Sequence, residues 1–213
     1  MQKEVRVLEL LCDPPNSLKA IADRHKGKQI HYVGINKKNV YTALGKELGE
    51  TIEKLRLPLE EKQDLLVRTT GEIHFELLSP EKPEEFKKQL TRHLQGQKFD
   101  EIHYHMPNSV SGHQHPVEAL SVIKKFLKKN GRFYHVFGGV SPFVHNSYSP
   151  PKFYETKHSV KEYFEAAEDE IKPIAEQSGF QLEALGVKAN GWRTRKNESE
   201  KDNRKNKAIT KLI

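Results

Sequence analysis

Short apolar runs alternate with amphipathic stretches along almost the whole chain, and this order constrains the fold more than any other feature. Runs of strand length at 5–11 (VRVLELL), 29–35 (QIHYVGI), 71–78 (GEIHFELL), 99–106 (FDEIHYHM) and 132–138 (RFYHVFG) are separated by segments with helical spacing. Strands joined through helices have to run parallel, with the helices covering the sheet faces. The expected class is therefore α/β, a doubly wound, mostly parallel sheet. No repeat interrupts the pattern, and residues 1–213 read as one domain.

The helices have recognisable punctuation. Residues 16–25 follow a cap at Asn16 or Ser17, with Leu18, Ile21 and Ala22 on one face. Residues 37–49 read as a helix ending at Gly49, and 51–66 as a helical stretch broken by Pro58. Pro83 opens a helix reaching about Gln95, and Pro116 opens another. The second carries Leu120, Ile123 and Leu127 at helical spacing and is stopped by Asn130-Gly131. Ser159 and Glu162 form a capping box for a helix over 160–178, with Val160, Phe164, Ala167, Ile171 and Ile174 on its apolar face. Pro173 should bend it and Gly179 end it. The last two runs, 181–188 and 206–213, have no helix between them and should pair antiparallel.

Composition limits the setting. No apolar stretch approaches the ~20 residues that span a bilayer. The start, MQKEVRVLELL, enters a strand pattern directly and lacks the pattern of a secretory signal. A single cysteine, Cys12, forbids an intrachain disulfide and suits the cytoplasm. The net charge of +7 is concentrated: nine Lys or Arg against three acids between Lys188 and Lys211 give +6 there. The loop at 188–205 is thus a candidate contact for RNA or another anionic partner, with Trp192, Arg193, Arg195 and Lys196 at its centre.

Three segments resemble the class I S-adenosylmethionine-dependent methyltransferases. VRVLELLCDPPNS resembles their first strand and cofactor loop, YVGIN their second strand and its ribose-binding end. FDEIHYHMPNS, the helix at 116–129 and LKKNGRFYHVF resemble the fourth strand, its following helix and the fifth strand. The resemblance runs from Val5 to Ile213 and implies a Rossmann-like sheet closing with a C-terminal antiparallel strand pair. It implies S-adenosylmethionine as cofactor and places Glu9, Leu11, Cys12, Asp13 and Asn36 along its pocket. The family's loop glycines let backbone approach the cofactor, but Leu11, Asp13 and Pro15 stand at those positions. The usual acid at the end of the second strand is Asn36, an uncharged acceptor. Glu9 matches the acid of the first motif.

The fourth strand should end at the cleft. His105 there suits a general base, and Asn108 suits a carbonyl hold on an acceptor amino group. This segment also resembles that of tRNA guanine-N7 methyltransferases, without their aromatic and arginines. His103, His105, His113 and His115 are the densest histidine group and could ligate a metal, though their spacing follows no zinc pattern and no metal is assigned. The loop at 139–158, with Phe143, His145, Tyr148, Phe153 and Tyr154 among three prolines, offers a stacking surface for a base or simply an ordered loop. Cys12 fits a packed small residue better than a nucleophile. The leading expectation is a methyltransferase acting on RNA or another anionic substrate. The alternatives are a non-catalytic methyltransferase-like binding or assembly protein without cofactor, and a histidine-cluster metal protein.

Overall fold

The computed structural model describes residues 4–10, 14–36, 47–55, 57–106, 115–137, 172–189 and 206–212. Seven strands form one sheet in the order β3-β2-β1-β4-β5-β7-β6: β1 (Glu4–Leu10), β2 (Gln29–Asn36), β3 (Thr69–Phe75), β4 (Phe99–Met106), β5 (Leu127–Phe137), β6 (Leu182–Ala189) and β7 (Asn206–Leu212). The first five run parallel, and β7 lies antiparallel to both β5 and β6.

Alternation along the strands divides the core into two layers. Val5, Val7, Ile30, Tyr32 and Ile73 face one side. There they pack on α1 (Pro14–Arg24) through Leu18, Ile21 and Ala22, on α2 (Leu48–Glu53) through Leu48 and Ile52, and on α3 (Leu59–Arg68) through Leu65. Leu8, Leu10, Val33, Ile35, Ile102, Tyr104 and Phe133 face the other. They meet Phe86, Leu90 and Leu94 of α4 (Pro83–Leu94) and Leu120 and Ile123 of α5 (Pro116–Lys124). Helices thus cover both faces, as the strand-and-helix alternation requires.

Several boundaries differ from the sequence reading. The helix from Pro116 ends at Lys124, and Leu127 already belongs to β5. Asn130 and Gly131, expected to stop a helix, lie inside that strand. There one residue of β4 faces four of β5, because Phe99 pairs with Leu127 and Glu101 with Arg132. A Cβ on Gly131 would come within 2.7 Å of the Leu127 side chain and 3.0 Å of the Phe99 carbonyl oxygen, so this tight excursion needs glycine. Strand β3 starts two residues earlier than expected, at Thr69, because pairing with β2 from Ile30 onward sets its register. Gly49 sits inside α2 and does not end a helix. Residues 37–46 of the helix expected at 37–49 lie outside the described residues, as do 160–171 of the helix expected at 160–178.

The signals at Pro58, Pro83, Gln95 and Gly179 act as read. Pro58 stands directly before α3 with extended backbone, Pro83 occupies the first turn of α4, and Gln95 closes α4 in the left-handed region. Residues 172–177 are helical through Pro173. Gly179 closes that helix at φ 74°, with the Phe180 amide donating to the Ala175 carbonyl at 2.8 Å. Among the described residues no helix is long and apolar enough to cross a membrane.

Candidate cofactor-binding cleft and the polar row beneath it

From β1 the chain winds outward to β2 and β3, then returns to place β4 on the opposite side of β1. The junction of β1 and β4 is therefore the point where the winding reverses, and in such sheets ligands bind beyond the carboxyl ends of the strands there. The strand ends form a notch at this point. Leu10, the last residue of β1, is level with Ile35 of β2 and Tyr104 of β4. Strand β2 continues to Asn36, and β4 continues through His105 to Met106. Two strand spacings separate the walls, giving a notch about 10 Å wide with β1 as its floor.

Three residues, 11–13, connect β1 to α1, whose first turn begins with Pro14 and Pro15. Proline fits this turn, since the first amides of a helix have no partner within it. Two prolines nevertheless remove two N–H groups that a helix start would offer to an anion.

Beneath the notch runs a row of polar side chains that a buried sheet would not contain by default. Glu9 of β1 is fully buried, and the Tyr32 hydroxyl donates to it at 2.5 Å. Glu9 stands level with His103 of β4, and His103 with Tyr134 of β5. The His103 and Tyr134 rings stack with centroids 4.6 Å apart, and the Arg24 guanidinium lies 4.9 Å from the Tyr134 ring centre. Glu101, two residues before His103, is 5% exposed. It takes Arg24 Nη2 at 3.0 Å, His25 Nε2 at 2.9 Å and His103 Nε2 at 3.1 Å. The end of α1 is thereby tied to the centre of the sheet.

Electrostatics fix the protonation of this group. Burial would raise the Glu101 carboxyl, but the hydrogen bond from His103 and the charge of Arg24 outweigh it and hold its pKa at about 2. Burial pushes His103 below the usual imidazole range despite its carboxylate neighbours. The consistent state is a neutral His103 whose Nε2–H donates to an ionised Glu101. In that state the 3.2 Å approach of Arg24 Nη2 to the same nitrogen is a donor-to-donor contact, and Arg24 spends its hydrogen bond on Glu101.

The site residues expected from sequence divide as follows. Glu9 lies at the carboxyl end of β1, below the notch. Asn36 and His105 lie in strand segments that form its two walls, opposite Phe75 and Val136 respectively. Leu11, Cys12, Asp13, Asn108, His113, Trp192, Arg193, Arg195 and Lys196 lie outside the described residues, as does the loop at 139–158. Of the four histidines grouped in the sequence, His103 is spent on Glu101 and Tyr134. His115 stands half exposed at the start of α5, 3.8 Å from Glu118. Among the described residues no three His, Cys, Asp or Glu side chains converge as a metal site. The sequence reading missed Arg24, His25, Glu101, Tyr32 and Tyr134. The available signal was the presence of Glu9, Glu101 and His103 at inward positions of buried strands.

No family model matches the chain, and no curated protein matches it in sequence. Among solved structures, a 30S ribosomal A1408 methyltransferase from an uncultured bacterium superposes with a TM-score of 0.51 at 15% identity, over 98% of this chain and 86% of that one. The chain has the class I methyltransferase fold. A SAM-dependent methyltransferase from Aquifex aeolicus is also similar, with a TM-score of 0.48 at 14% identity, over 99% of this chain and 82% of that one. In a class I methyltransferase fold the notch over β1 lies at the winding reversal, with Asn36 and His105 in its walls.

Proposed function

We propose that the protein is an S-adenosylmethionine-dependent methyltransferase acting in the cytoplasm on RNA or another anionic substrate. The observation that carries this reading is the notch at the winding reversal, floored by β1 and walled by the ends of β2 and β4. Ligands of doubly wound sheets bind at this end of the sheet, at the winding reversal. The buried Glu9, one residue before the end of β1, fits the acid of the family's first motif. The connection 11–13 departs from the glycine cradle, so the holding groups are side chains: Asn36 toward the ribose, Asp13 and Cys12 beside the tail. When bound, the cofactor supplies an activated methyl group. His105 accepts the proton that the acceptor atom releases, Asn108 orients that atom, and Trp192 with Arg193, Arg195 and Lys196 holds substrate phosphates.

One observation favours a second reading, a methyltransferase-like binding protein without cofactor. Leu11, Asp13 and Pro15 replace the glycines, and Pro14 and Pro15 withhold two amides at the start of α1. Calorimetric titration with S-adenosylmethionine and S-adenosylhomocysteine separates the two. Under the first reading both bind, and Asn36→Ala weakens binding about tenfold, the effect of one buried hydrogen bond. Absence of binding at millimolar ligand, with the fold intact by circular dichroism, overturns it in favour of the second.

A further inference from the structure

Among the described residues the sheet has an open edge at β3, one strand beyond the β2 wall of the notch, and its surroundings carry exposed apolar side chains. Strand β3 is the outermost strand, paired only with β2 among the described residues. A bare strand edge offers unpaired amides and carbonyls to any extended chain, and proteins that leave one open usually blunt it. This edge is flanked by apolar surface. The four large hydrophobic side chains that stand exposed among the described residues are Leu59, Leu66, Val67 and Leu77. All belong to α3, which leads into β3, or to the two residues after its end. Val67 is 75% exposed, the highest of the four.

An open groove of about 320 Å³ runs beside the strand, lined by Leu48, Ile52, Leu66 and Ile73 with Glu47 and Glu72 at its rim. The backbone of β3 is fixed firmly enough to act as a template. Gly71 sits at φ 132°, and any Cβ there would fall 1.8 Å from the Tyr32 carbonyl oxygen. The strand therefore lies against β2 more closely than a side chain would permit.

Charge selects the partner. Residues 47–77 hold eight acids and four Lys or Arg, a net of −4 that Lys19 on Glu61 and Arg92 on Glu76 reduce without reversing, in a chain whose total is +7. An anionic polymer is repelled here, which separates this face from the basic region at 188–211. Two-fold pairing of β3 with a second copy would bring two acidic faces together.

The geometry points to a docking site for a partner protein that adds an extended, lysine- or arginine-rich strand along β3 and inserts apolar side chains between Leu66 and Ile73. Backbone pairing supplies the affinity, and the groove with its acidic rim supplies the selection.

The test uses the full chain, labelled with ¹⁵N, and an end-blocked peptide alternating lysine with valine. Binding should move or protect amides within 47–77 and leave those of β4 and β5 unchanged. Affinity should fall about tenfold as salt is raised from roughly 50 to 300 mM. Methylating alternate peptide nitrogens should abolish binding. So should Val67→Lys with Glu72→Lys, two exposed changes checked by an unaltered melting temperature. The proposal is overturned if no amide in 47–77 responds at millimolar peptide, or if a glutamate–valine peptide binds equally well. It is also overturned if sedimentation shows a second copy already occupying this edge.

Discussion

Replacing Glu101 with Gln should remove one specific part of the protein's acid sensitivity. The carboxyl titrates at about 2 in the folded chain, against an ordinary value of 4.5. A folded pKa below the unfolded one means that the unfolded chain takes up the proton first. The stabilisation is therefore complete above pH ~4.5 and is lost as pH falls toward 2. At about 1.4 kcal/mol per pKa unit, the difference is about 3 kcal/mol. Glu101 is almost wholly buried, so solvent screening takes little from this figure. Urea unfolding of wild type and Glu101→Gln at pH 2.5, 3.5, 5 and 7 reads the effect directly. The stability gap between them should be about 3 kcal/mol at pH 7 and close most of the way by pH 2.5. Asp64 and Glu76 also titrate below their ordinary values, through Arg68 for Asp64 and, against the opposing effect of burial, through Arg92 and His93 for Glu76. Both remain in the variant and cancel in the difference. His103 adds a separate window. Its folded pKa is also lowered, by burial, so stability falls as pH drops below about 6.5; His103→Gln should flatten that limb and, by altering the hydrogen bond on Glu101, change the acid limb as well. If wild type and Glu101→Gln give parallel curves across the acid range, the Arg24–His25–Glu101–His103 group does not hold an ionised carboxylate, and the account of the polar row fails.

Two further substitutions test the packing around this row. Gly71→Ala places a methyl group on the Tyr32 backbone in a left-handed region, and it should lower the melting temperature by about 5 °C or more through at least ~2 kcal/mol of strain. A melting temperature within a degree of wild type would mean that β3 is not seated as described. Tyr32→Phe deletes the donor of the 2.5 Å hydrogen bond to buried Glu9 and should cost about 1–3 kcal/mol in chemical unfolding.

The parts of the fold that sequence conveyed are those written in many residues at once. The two core layers follow from Val5, Val7 and Ile30 alternating with Leu8, Leu10 and Val33, and a register error of one would have exposed an entire set. Boundaries set by a single contact were not legible. Leu127 continues the helical spacing of Leu120 and Ile123, yet pairing with Phe99 draws it into β5. The strand positions of the candidate residues Glu9, Asn36 and His105 were legible from the apolar runs that contain them. The network on Glu101 was not, because its partners Arg24 and His25 lie 77 and 76 residues away. No local pattern distinguishes an arginine bound for a buried carboxylate from one bound for solvent. Closeness along the chain joins His103 and His115, whereas the fold places one beneath the sheet's helix layer and the other at a helix start.

Under the proposed reading, the clamp on α1 bears on how a cofactor is accommodated without loop glycines. Leu18, Ile21 and Ala22 are buried on the sheet, and Arg24 and His25 are tied to Glu101, so the helix has little freedom to retreat. The elements on either side of residues 11–13, β1 and α1, are thus both anchored in the core. Under the proposed reading, binding relies on the walls of the notch, and the loop contributes side chains in place of exposed backbone. Leu11→Gly with Asp13→Gly, which restores the family's small residues, should therefore leave S-adenosylhomocysteine affinity unchanged or weaker. Asn36→Ala should cost about tenfold. A gain of about tenfold or more in the double-glycine variant, measured by calorimetry, would show that the loop side chains obstruct the pocket. It would refute the argument that the notch walls carry the cofactor in this chain.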